Sequence, residues 1–148
     1  MIIQSTRLGS LEVKPEDIIQ FPNGLPGFID EKEFILIPCE TKAFAFLQSL
    51  TEANLTFLVV DPFSFFSDYE FTLDDQVLAV LDLSEQSPPQ ILNIVTVPEK
   101  AEDMTANLLA PIIYNPVKRL AQQIILEKVP YTIRQRLFPQ GLPSQGGK

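Results

Sequence analysis

Apolar residues in this chain fall in short runs rich in Ile, Val, Phe and Leu, cut by proline and glycine before they can extend at helical spacing. β-branched and aromatic residues suit a pleated surface, and thirteen prolines would break long helices, so the pattern predicts a mainly β protein. Candidate strands are Ile2 to Arg7, Leu11 to Val13, Ile18 to Phe21, Phe34 to Pro38, Phe44 to Leu50 and Leu55 to Asp61. Tyr69 to Phe71, Gln90 to Val97, Thr105 to Leu109, Ile112 to Asn115 and Leu120 to Glu127 complete the set. Leu55 to Asp61 is apolar on both strand faces, as expected of a strand covered on both sides, and Phe44 to Leu50 just upstream shares that character. The two are expected to pair as an antiparallel hairpin at the centre of the core. One short helix is expected at Asp74 to Leu83, capped by Thr72 or Asp74, with Val77, Leu78 and Leu81 on one face. So many short strands exceed what an open sheet normally carries, so a single-domain antiparallel β-barrel-like or sandwich fold is expected over residues 1–138. Residues 139–148 have little to bury and read as a flexible tail.

Phe21-Pro22-Asn23-Gly24-Leu25-Pro26-Gly27-Phe28 places two prolines and two glycines between aromatic ends, which predicts a fixed loop with positive φ at one or both glycines. Phe21, Leu25, Phe28, Phe46, Leu47 and Phe57 are expected in the core.

Composition narrows the chemistry. There is no histidine, which removes the commonest general base and every His-containing metal site. Cys39 is the single cysteine, so neither an internal disulfide nor a Cys-only zinc site can form, and it reads as a small half-buried side chain. Adjacent acids such as Asp74-Asp75 point to opposite faces of a strand or sit at a helix start, so they do not make the facing carboxylates a glycosidase needs. Gly24 and Gly27 lack the Lys-Ser/Thr pair of a phosphate cradle, and no Gly-x-Ser-x-Gly elbow occurs. No cofactor is implied.

Net charge is −8, but its distribution is uneven. Residues 1–103 hold eighteen of the nineteen acids against five basic residues, a net of −13; residues 104–148 carry a net of +5. A carboxylate-dominated surface repels phosphate, so direct nucleic-acid binding is disfavoured and basic protein partners are favoured. No apolar run approaches membrane-spanning length and the N-terminus lacks the features of a signal peptide, so no membrane association and a cytoplasmic location are expected.

Met104 to Pro116 is unlike an ordinary strand, because Asn107 and Asn115 sit among apolar residues and buried amides require several hydrogen-bond partners. Two readings stand: the amides lock turns or bulges, or the stretch forms a shaped surface that fixes the register of a bound peptide.

At this point the residues resemble the family of the flagellar assembly factor FliW. The resemblance rests on the proline-glycine loop at 21–28, then Phe46-Leu47-Gln48-Ser49, then Leu55-Thr56-Phe57-Leu58-Val59-Val60-Asp61-Pro62 and Tyr69. It continues through Asn93-Ile94-Val95-Thr96-Val97-Pro98, Thr105 to Asn115, Gln122 or Gln123, and Tyr131 with Arg134, covering about residues 1–138 in order. Ile29 departs from the acid that members often carry after the Gly-Phe, and the Gly/Pro-rich tail looks like an extra. The resemblance implies a cytoplasmic β-barrel-like protein of bacterial flagellar assembly that is not an enzyme. It further implies binding to the translational regulator CsrA, which relieves repression of flagellin messenger RNA, and binding to flagellin, which releases CsrA. The partner surface is placed around Thr105, Asn107, Leu108, Pro111 and Asn115, with Gln48, Asp61 and Tyr131 as neighbours. An export chaperone for flagellin without a regulatory role is the alternative, and a carboxylate-based carbohydrate-active enzyme a more distant one. On this reading, alanine at Asn107 or Leu108 is expected to lower partner affinity, measured by titration, while thermal stability stays nearly constant.

Overall fold

The computed structural model describes residues 1–41 and 43–140; of the tail expected at 139–148, residues 141–148 lie outside the described residues. The architecture grows from the expected hairpin. β5 (Phe44–Ser49) and β6 (Thr56–Val60) pair antiparallel from Phe44↔Val60 to Gln48↔Thr56. β4 (Glu33–Pro38) joins β5 on one side, and β3 (Ile19–Gln20) joins β4. On the other side β7 (Gln90–Thr96) pairs with β6, and β9 (Ile112–Asn115) pairs with β7. β10 (Leu120–Gln123) pairs with β9 and meets β3, closing a seven-stranded barrel.

Six contacts round the ring are antiparallel, and the seventh, Leu120↔Gln20 between β10 and β3, is parallel. Parity requires it. Strand direction reverses at each antiparallel neighbour, and a closed circuit must reverse an even number of times, so an odd-stranded ring contains a parallel contact. The seam is one register pair long because the chain leaves β3 for the proline-glycine loop directly after Gln20.

Inward residues of every barrel strand form one core: Ile19, Phe34, Leu47, Val59, Leu92, Ile112 and Ala121, with Phe21 and Leu25 of the loop closing one part of it. Phe21 and Phe34 meet edge to face at 5.1 Å. Val59 belongs to this interior while adjacent Val60 belongs to a second cluster outside the barrel wall, so β6 is covered on both faces as its sequence implied. A separate hairpin of β1 (Ile2–Ser5) and β2 (Gly9–Glu12) packs Ile3 and Val13 onto Ile35. Of the expected core aromatics, Phe28 is 41% exposed; its ring meets Phe57 edge-on at 5.7 Å and its backbone pairs with Leu25.

The helix α1 (Asp75–Val80) is shorter than the expected Asp74 to Leu83. Asp74 is its N-cap, accepting from the Val77 N–H at 2.9 Å. Asp82 turns to φ +53, with the Asp82 and Leu83 N–H groups bonded back to the Ala79 and Leu78 carbonyls, a Schellman termination that ends the helix early. Tyr69 to Phe71 is not a strand: the Tyr69 N–H closes a turn on the Phe66 carbonyl and its ring is buried. β8 is only Thr105–Ala106, and the short β11 (Gln135–Arg136) that pairs with it went unrecognised because two polar residues carry no period. No helix among the described residues is long and apolar enough to cross a membrane.

Both loop glycines take positive φ, +65° at Gly24 and +85° at Gly27. A Cβ on Gly24 would lie 2.5 Å from the Ile29 carbonyl oxygen, whereas one on Gly27 would meet open space. Gly27→Ala is therefore expected to cost about 1–2 kcal/mol for the left-handed backbone alone, and Gly24→Ala clearly more. Urea denaturation checks this, and equal losses would show that the close approach relaxes freely.

Candidate docking surface

The segment Thr105 to Asn115 runs antiparallel to β7 along its whole length, but not in one register. Ala106 faces Val95 and the Asn107 N–H bonds to the Ile94 carbonyl, while Ile112 faces Leu92. The single residue Asn93 therefore lies opposite four, Leu108, Leu109, Ala110 and Pro111, so three extra residues bulge out of the ladder. A bulge leaves backbone groups without ladder partners, and buried ones must be satisfied otherwise.

Neighbouring backbone and side chains supply those partners. The Leu126 and Ile124 N–H groups donate to the Leu109 and Pro111 carbonyls, the Leu108 N–H donates to the Thr132 carbonyl, and side chains meet others. Asn93, fully buried, donates from Nδ2 to the Asn107 carbonyl at 2.8 Å and to the Tyr69 hydroxyl at 3.3 Å. Tyr69 in turn donates to the Leu108 carbonyl at 2.6 Å. Asn107 Oδ1 accepts from the Ala110 N–H, and Gln123 Nε2 donates to the Ala110 carbonyl, each at 3.0 Å. Asn115 plays the same part at the other end of β9. Its Nδ2 donates to the carbonyls of Leu81 and Asp82 at the end of α1, and its Oδ1 accepts from the N–H groups of Val117 and Lys118. Of the two readings of these asparagines, the turn- and bulge-locking one describes their bonds.

Tyr69 is 3% exposed, and burial pushes its hydroxyl up to about 12, with the Asn93 bond a smaller opposing effect and Tyr131 adding slightly to the rise. It stays protonated and donating throughout the neutral range. Burial also raises the Tyr114 hydroxyl and the Cys39 thiol. Cys39 lies just past the end of β4, half-buried as expected and with little thiolate character.

Against the bulge lies a cleft of about 590 Å³ lined by Phe65, Phe66, Asp68, Tyr69, Leu108 and Tyr131, among others. Tyr131 sits edge-on to Tyr69 at 4.7 Å, and its hydroxyl both accepts from the Glu70 N–H and donates to the Glu70 carbonyl. Asp61 caps the 3₁₀ turn Pro62–Ser64 that leads into Phe65, accepting from the Phe63 N–H at 3.0 Å. Asp68 is an exposed acid lining this cleft; Glu70, whose backbone holds the Tyr131 hydroxyl, is also exposed, as is Phe63 at 48%.

The structure thus brings Leu108 and Tyr131 together at one cleft; Thr105, on β8, Asn107, just before the bulge, and Asp61, capping the turn ahead of Phe65, are half-buried and do not line it. It does not bring the others there as contact groups. Gln48 is fully buried on the far side, where Oε1 accepts from Ser5 and Thr56 and fastens the β1–β2 hairpin to the barrel. Pro111 and Asn115 are buried, and Leu108 is only 2% exposed. Their sequence signal reflects internal shape. The aromatics Phe65 and Phe66 went unselected, although the run Pro62-Phe63-Ser64-Phe65-Phe66, apolar without strand or helix period, marked an aromatic-rich loop.

Comparison with known proteins then decides the family. The model described as "FliW protein" matches residues 2–137. The chain belongs to the FliW family. It is 54% identical over 151 residues to the flagellar assembly factor FliW of Desulfitobacterium hafniense (strain DSM 10664 / DCB-2), covering 99% of both chains. It is 43% identical over 135 residues to that of Bacillus subtilis (strain 168), covering 90% of this chain and 94% of the other. A crystal structure of the flagellar assembly factor FliW superposes with a TM-score of 0.89 at 41% identity, covering 94% of this chain and 98% of that one. The barrel, the bulge and the cleft are therefore set within a FliW fold, and the chain is a flagellar assembly factor of this family.

The expected constancy of stability on truncating Leu108 is corrected by its burial: Leu108→Ala is expected to cost about 2–5 kcal/mol by chemical denaturation. Tyr69→Phe, which strips the Leu108 carbonyl of its donor, is expected to cost about 1–3 kcal/mol. As pH climbs from 10.0 toward about 12, an unfolded tyrosine has released its proton while Tyr69 keeps its own, so the native state binds more protons and stability falls. The fall should shrink in Tyr69→Phe; an unchanged alkaline slope would show that another group is responsible.

Proposed function

We propose that this protein is a non-catalytic, cytoplasmic regulator of flagellin synthesis that binds the translational regulator CsrA and, in competition, flagellin. The observation that carries the reading is membership of a family of flagellar assembly factors, matched along nearly the whole chain. Charge supports it. A segment of net −13 favours a basic RNA-binding partner and disfavours nucleic acid itself. Held beside such a regulator, those carboxylates repel incoming phosphates even where they do not cover the RNA site. The cleft combines aromatic side chains with polar ones and the exposed acid Asp68, a mixture found at protein interfaces. Tyr131 lines the cleft and is the first contact expected, with half-buried Thr105, Asn107 and Asp61 as further candidates, while buried Gln48, Leu108, Pro111 and Asn115 serve to hold the fold in shape.

Titration of purified CsrA, with and without flagellin, tests the reading: CsrA is expected to bind, and flagellin to displace it. Binding of flagellin alone would move the protein to the export-chaperone class, and indifference to both at micromolar levels would end the proposal. Asp68→Asn combined with Glu70→Gln is expected to weaken displacement of RNA from CsrA more than it weakens CsrA affinity. Unchanged displacement at retained affinity would remove the electrostatic part.

A further inference from the structure

A second groove lies on the opposite edge of β10, and its features point to a different mode of binding. It has a volume of about 690 Å³ and runs between α1 and residues 122–127. Beyond Gln123 the chain stays in register with the bulged segment, the Ile124 and Leu126 N–H groups donating to the carbonyls of Pro111 and Leu109. Alternation then directs the N–H and C=O groups of Gln123, Ile125 and Glu127 the other way, toward the groove. β3 would cover them if it continued, but it meets β10 only at Leu120 and then turns off. No backbone hydrogen bond among the described residues reaches Ile125 or Glu127. The edge ends at Lys128, which takes φ +56.

Three further features constrain an occupant. Val80 and Ile125, 38% and 68% exposed, give the groove apolar walls. Asp74 and Glu127 line it with no lysine or arginine among its lining residues. Gln122 Oε1, a lining side chain, is buried without any hydrogen-bond donor. Free edge amides and carbonyls suit an extended backbone, and the carboxylates with an unpaired acceptor suit a donor-bearing cationic side chain.

We propose that this groove is a strand-addition site for an extended, lysine- or arginine-bearing segment of a protein partner, paired to the edge at Gln123–Glu127. The proposal deepens the protein-docking reading and rests on it only in taking the occupant to be a protein, so it stands apart from the identity of CsrA and flagellin as partners.

Amide hydrogen exchange followed by NMR tests it, with a decapeptide of alternating lysine and valine as probe and its glutamate counterpart as control. At peptide concentrations ~10 times Kd, the Ile125 and Glu127 N–H groups are expected to exchange about tenfold more slowly. Ile125→Pro removes one edge donor while keeping the inward bonds of Ile124 and Leu126, so it should abolish binding, and Ile125→Thr should retain it. If Ile125→Pro fails to fold, Glu127→Lys serves instead and should shift preference toward the glutamate peptide. Absence of protection at both amides with millimolar lysine peptide overturns the proposal. Equal protection by the two peptides, or wild-type binding by a folded Ile125→Pro, does the same. Failure of the CsrA titration with protection observed here would sink the regulatory reading and leave this site standing.

Discussion

The carbonyls of Asn107 and Leu108, part-buried and buried, leave the β-ladder where no neighbouring strand lies opposite. Asn93 and Tyr69 meet them, and this bracket of buried hydrogen bonds lets β7 serve two purposes. One half of β7 pairs with β9 and helps close the barrel; the other half pairs with β8, carrying the sheet outward to β11. Without the bracket the Asn107 and Leu108 carbonyls would lose their donors, a cost comparable to losing two hydrogen bonds. The aromatic cleft exists because the bracket places Tyr69 under the bulge and Tyr131 against Tyr69.

Closure of the barrel depends on a second constraint, which is topological. Seven strands cannot alternate in direction all the way round, and the forced parallel contact falls where β3 is only two residues long. The proline-glycine loop sets that length, since Gly24 needs both positive φ and close approach to Ile29, and this pulls the chain away from β10 at once. A shortened β3 leaves the continuation of β10 with bare backbone on one side. The same economy that closes the core thus exposes an edge.

Both grooves border β10 or the bulge it supports, and Gln123, which lines the groove beside α1, also braces the bulge. Its side chain props the Ala110 carbonyl beside the aromatic cleft, while its backbone stands on the open edge. Asp68 stands at the aromatic cleft and Asp74 and Glu127 at the groove beside α1, so each pairs carboxylates with aromatic or aliphatic side chains. That combination draws basic proteins by long-range attraction and holds them by short-range contact.

The amino-acid pattern alone determined that the protein is β-rich, that β5 and β6 form the central hairpin, that Asp74 begins the helix, and that Gly24 and Gly27 turn the loop. Each of these follows from interactions within a few residues of chain, or from burial on both faces of one strand. Order and spacing of the motifs also carried the family. Tertiary structure alone decided which polar residues face solvent. The resemblance places Gln48 and Asn115 at a partner surface, yet bonds to Ser5 and to Leu81, on segments distant in sequence, hold them fully inside. The extent of β3, and therefore of the seam and the free edge, is likewise a property of the closed ring, because strand length there is set by where a neighbour ends and not by the residues of the strand itself.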